Sequence, residues 1–75
     1  MIGGDTMRFN HSKLQGRIRE CGFIQATLAE AIGISKGTLN AKLSGRFYFT
    51  TSEIVAICNV LSIPYKEIPN YFFAV

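Results

Sequence analysis

A chain of 75 residues makes one domain, and a domain this small buries only about 60% of the surface its unfolded chain exposes, so every element has to pack on its neighbours. Hydrophobic residues make up 48% and charged residues 17%, which excludes the profile of a disordered chain, while a net charge of +3 selects no partner by itself. Two cysteines and one histidine cannot build a four-ligand zinc site, and the longest apolar run, Ile54 to Cys58, falls far short of the roughly 20 residues of a membrane span.

The opening MIGGDTM has no basic stretch followed by an apolar one, so it does not read as a secretory signal. Met7 could itself be a start. Residues 1–7 are therefore expected to be an extra or disordered segment, and residues 8–75 a single helix-turn-helix domain. Cys21 and Cys58 sit in helical apolar patterns, as free buried thiols do, which favours a reducing cytosol.

The first helix is expected within Phe9 to Gly22, with Asn10 as N-cap, Gly22 as stop, and Leu14, Ile18 and Cys21 on one face. Lys13, Arg17 and Arg19 read as a solvated side, and His11 as a surface residue. Gln25 to Ile32 gives a second helix, with Leu28 and Ile32 in its stripe and Gly33 at its end. Ser35 caps a third that runs to about Ser44, with Leu39 and Leu43 inward and Gly45 closing it. Three residues between two such short helices favour a sharp crossing, the geometry of a helix-turn-helix. Phe47, Tyr48 and Phe49 are expected to fill the seam between the third helix and the next.

Thr50 and Glu53 fit a capping box ahead of Ile54, Ile57, Cys58 and Leu61 at helical spacing, which makes a fourth helix. Pro64 suits a first helical position, so Tyr65 to Ile68 is expected as a single turn that Pro69 stops. Short extended segments at Met7 to Phe9 and Tyr71 to Phe73 complete an otherwise all-α, compact domain of four to five helices. Tyr71, Phe72 and Phe73 read equally as a core plug or as a dimer or partner contact.

With Leu39 and Leu43 turned inward, the outward side of the third helix carries Gly37, Thr38, Ala41 and Ser44, flanked by Lys36, Asn40 and Lys42. No acid lies between Gly33 and Gly45. A helix entering a major groove about 12 Å wide needs little bulk and donors at its edges. Gly37 costs up to about 1 kcal/mol relative to alanine in a helix, a local weakness that close approach of a partner would explain.

The stretch QATLAEAIGISKGTLNAKLSG resembles the helix-turn-helix of the Cro/CI-type family of phage repressors at Gln25, Leu28, Ala29, Gly33, Ile34, Ser35, Leu39 and Gly45. The flanking FNHSKLQGRI and FTTSEIVAICNVLSIPYKEIPNYFF look like short regulators from phages of Gram-positive bacteria. The resemblance implies a transcriptional regulator in the host cytoplasm, associated with the nucleoid, that binds double-stranded operator DNA as a two-fold homodimer and acts by occlusion. It places Lys36, Gly37, Thr38, Asn40 and Ala41 against bases, and Gln25, Ser35, Lys42, Ser44 and Arg46 against phosphates. Ser44 and Ile18 stand where relatives often carry asparagine and arginine, so the phosphate contacts of that asparagine and that arginine are missing. That departure supports an alternative: an anti-repressor or modulator that keeps the fold and binds a co-encoded repressor through the same helix or the aromatic end. No enzyme, metal or cofactor is expected, since Asp5, Glu20, Glu30, Glu53 and Glu67 fall on separate elements and no nucleophile has an evident base beside it.

Overall fold

The computed structural model describes residues 9–74; the expectations for residues 1–7, and for Met7 and Arg8 as an extended segment, lie outside them. Five α-helices and no strand are present among the described residues: α1 (Ser12–Glu20), α2 (Gln25–Ile32), α3 (Lys36–Leu43), α4 (Thr51–Leu61) and α5 (Ile68–Phe72), with a 3₁₀ turn at Tyr65–Glu67 before α5. No helix among them is long and apolar enough to cross a membrane.

Local chemistry sets most of the boundaries. Gly33 takes the left-handed conformation, φ +81°, at the end of α2, and Ile34 N–H donates to the Ala29 carbonyl at 3.0 Å, closing the helix by the glycine stop expected there. Ser35 Oγ accepts from the Thr38 amide at 3.1 Å and caps α3, which starts at the next residue. The capping box of α4 is formed in both directions: Thr50 Oγ1 accepts from the Glu53 amide at 3.2 Å, and Glu53 Oε1 from the Thr50 amide at 2.8 Å.

Two boundaries differ from the sequence reading. Asn10 lies one residue ahead of the cap: its side chain accepts from the Ser12 amide at 2.8 Å, and His11 occupies the cap position. Pro69 does not stop a helix but sits in the first turn of α5, where a missing N–H costs nothing because first-turn amides have no helical acceptor. Tyr71 and Phe72 are accordingly helical rather than extended. The two ends of the described segment still meet, since Asn10 N–H donates to the Ala74 carbonyl at 2.6 Å.

The core is assembled from Leu14, Ile18, Leu28, Ala29, Leu39, Leu43, Ile54, Ile57, Cys58, Leu61, Ile63 and Phe72. Ile32, expected among them, is only half-buried at the edge. Phe72 is the plug, 1% exposed. Around it Phe49 stacks edge-on at 5.5 Å, and Phe49 in turn meets the His11 ring at 5.4 Å. His11 is thus a buried residue, not a surface one, and its Nδ1 lies 3.2 Å from the Leu43 carbonyl at the end of α3. A carbonyl only accepts, so Nδ1 is the donor and neutral imidazole leaves Nε2 as a bare acceptor; that atom is buried without a partner.

Candidate functional site

Helix α3 is the element on which the sequence concentrates its candidate residues. Its N-terminus is held by Ser35 and its inner side by Leu39 and Leu43, so its outward side is set by register alone. Along that side Lys36, Gly37, Thr38, Asn40 and Ser44 are exposed, whereas Ala41 is buried, with 8% exposed.

The polar groups of this side are mostly turned toward the protein itself. Ser35 Oγ donates to Thr38 Oγ1 at 2.8 Å. Asn40 Nδ2 donates to Gln25 Oε1 at 3.1 Å, joining α3 to the start of α2. Ser44 Oγ donates to the Ala41 carbonyl at 2.9 Å. Lys42 is the largest departure from a solvent-facing cation: its Nζ donates to both carboxylate oxygens of Glu53, at 2.5 and 2.7 Å. With 12% and 14% of the two side chains exposed, the pair is nearly dry. Burial pushes the Glu53 carboxyl up, but the Lys42 ammonium and the Thr50 amide outweigh that push and hold it below the usual carboxylate range.

Lys36 and Arg46 remain as exposed cations with no acid in ion-pair reach among the described residues. On the same side of α3, Gly37, Thr38, Ala41, Lys42, Phe47 and Tyr48 line an open groove of about 600 Å³. Phe47 and Tyr48 do not fill the seam between α3 and α4; they stand 62% and 67% exposed, and only Phe49 turns inward. At the aromatic end, Phe72 is core and Phe73 is exposed, while Tyr71 is half-buried beneath the Lys13 ammonium, 4.9 Å from its ring centroid. The described residues hold no group of three metal-binding side chains.

Sequence reasoning missed three contacts. Arg17, read as solvated, donates from Nε and Nη2 to the Leu61 carbonyl at 3.1 and 2.9 Å, and Cys21 Sγ reaches the same oxygen at 3.6 Å. A cation there satisfies the C-terminus of α4. The Lys42–Glu53 pair and the burial of His11 were also missed. All three join segments far apart in sequence, and no local pattern announces them.

The chain belongs to the DUF739 family, described as protein of unknown function, whose model matches residues 7–75. No curated protein matches it. Among solved structures, the modulator of repression of the temperate bacteriophage TP901-1 from Lactococcus lactis, a solution structure, matches with a TM-score of 0.75 and 34% identity over 91% of this chain and 92% of that one. The resemblance to Cro/CI-type repressors is thereby corrected. Glutamine, alanine, glycine and serine at those spacings report the geometry of two crossed helices, which unrelated lineages share.

Proposed function

We propose that this member of the DUF739 family is a modulator of repression, a phage regulatory protein that acts by binding a repressor protein. The likeness to the TP901-1 modulator, 34% identical over nearly the full length of both chains, carries the reading. The chemistry of α3 supports it. Of the polar residues that could read bases or grip phosphates, Thr38, Asn40 and Lys42 are engaged within the chain, and Gln25 is spent on Asn40. What is left outward, beside the cations Lys36 and Arg46, is a pair of exposed aromatic rings next to small residues, the composition of a protein-binding surface.

Binding to the repressor encoded beside the chain's own gene, followed by titration calorimetry, tests this. A saturable complex, together with changed occupancy of operator DNA by that repressor in an electrophoretic shift, is the expected result. Absence of any complex rejects the proposal.

A second reading, direct recognition of operator DNA as a homodimer, is favoured by Lys36 and Arg46, which keep their charges free. On it, Lys36, Gly37, Thr38, Asn40 and Ala41 would face bases, and Gln25, Ser35, Ser44 and Arg46 phosphates. Its signature is a shift of operator DNA by the chain alone that weakens steeply with salt.

A further inference from the structure

We infer that the groove on the outer side of α3 is a docking site for an α-helix of the partner, one that presents an apolar face flanked by carboxylates. The inference rests on the repressor-binding reading and deepens it by assigning surface and chemistry.

Three observations meet at this groove. Gly37 is unexplained by the fold: it is helical with no positive φ, and a Cβ placed there would meet nothing within 4 Å. A glycine in a first turn weakens the helix relative to alanine, so neither backbone nor packing inside the chain requires it. An approaching backbone does. Ala41, one turn further on the same side, continues the low floor, and small residues four apart allow a second helix to lie close against the first.

The walls give the second observation. Phe47 and Tyr48 expose rings on one side of that floor and line the groove with it. Rings left this open, beside small residues, are the kind of anchor that dominates protein interfaces. The third is charge. Lys36, at the start of α3, and Arg46, just past its end, are exposed and unpaired among the described residues, whereas the one cation that lines the groove, Lys42, is paired with Glu53. Unpaired cations next in sequence to the lining residues Gly37 and Phe47 select carboxylates flanking an apolar stripe.

The same cations would attract phosphate, but the floor argues against a duplex. Base edges present hydrogen-bonding groups that need partners, and on this face Asn40 Nδ2 already donates to Gln25 and Thr38 Oγ1 already accepts from Ser35, while the groove itself is walled by two aromatic rings and floored by Gly37 and Ala41. An apolar helix face leaves nothing unpaired there.

The test uses the full chain and the repressor encoded beside it, by calorimetry at two salt concentrations. Gly37→Leu fills the trough without touching the core, and the Lys36→Glu, Arg46→Glu double variant inverts the rim. Each is expected to weaken binding by about 30-fold or more with the circular dichroism melt retained, and wild-type binding is expected to weaken as salt rises. Isotope-filtered Overhauser contacts from Ala41 and the Phe47 ring should run to apolar side chains of a helical segment of the repressor. Repressor binding by Gly37→Leu at wild-type strength overturns the groove and leaves the modulator reading standing. No binding by wild type overturns both. A salt-sensitive complex of wild type with operator duplex alone, lost in Gly37→Leu, overturns the protein occupant in favour of DNA.

Discussion

Single residues in this chain carry two opposite kinds of burden. Gly37 lowers helix stability for no internal gain, so Gly37→Ala is expected to raise stability by about 0.5 kcal/mol, read as a higher melting temperature. Lys42 and Glu53 do the reverse, holding α3 to the start of α4 through an ion pair that is nearly out of water. Removing one partner strands the other, and Lys42→Ala should cost about 2 kcal/mol, between the small worth of surface pairs and the larger loss at buried ones. The pair also sets a pH dependence. Because the Glu53 carboxyl is held below its unfolded value of about 4.3, its contribution is complete above that value and is lost as the pH falls through the lower folded one. Denaturant melts should weaken below about pH 4.5, and Glu53→Gln should flatten that acid limb.

Elements were legible in the sequence wherever their ends depend on neighbours in the chain. Gly33, Ser35, and Thr50 with Glu53 fix α2, α3 and α4 by contacts spanning three to five residues, and the sequence pattern identifies all of them. Pro69 was misjudged because the same residue stops a helix from its interior and starts one from its first turn. The end of α4 carries an unusual device: Ser62 adopts φ +56°, ψ +43°, the left-handed region, as a non-glycine residue. Ser62→Gly should relieve that strain and stabilise the fold by up to about 1 kcal/mol, which a chemical denaturation midpoint would show. Arg17 completes the same end from α1. Arg17→Lys should lower the melting temperature less than Arg17→Ala, since lysine keeps the charge and loses the paired geometry. Of the groove, the sequence showed the small residues and the cations of α3. It did not show that Phe47 and Tyr48 stand out as walls, because whether an aromatic residue after a helix turns in or out is decided by what already fills the core, here Phe49 and Phe72.

For the molecule as a whole, stability rests on a short final helix. Domains of this size hold only several kcal/mol in reserve, and Phe72→Ala, emptying a site that is 1% exposed, should remove about 3–5 kcal/mol. Loss of helical signal at physiological temperature is the expected outcome. The same closure of the bundle brings its two ends to one corner, where Asn10 bonds to Ala74 and the Phe9 ring packs on both Phe73 and Tyr48, at 5.4 and 5.7 Å. Anything fused before Phe9 or after Ala74 therefore departs beside Tyr48, a wall of the docking trough. A bait or reporter joined by a tight linker directly to Phe9 or to Ala74 would shade that trough equally, so swapping tags between those two positions offers no control. A circular permutant that bridges residues 74 and 10 and opens the loop at Pro64 would carry its label away from that corner, and interaction screens built on it should recover partners that end-tagged versions miss.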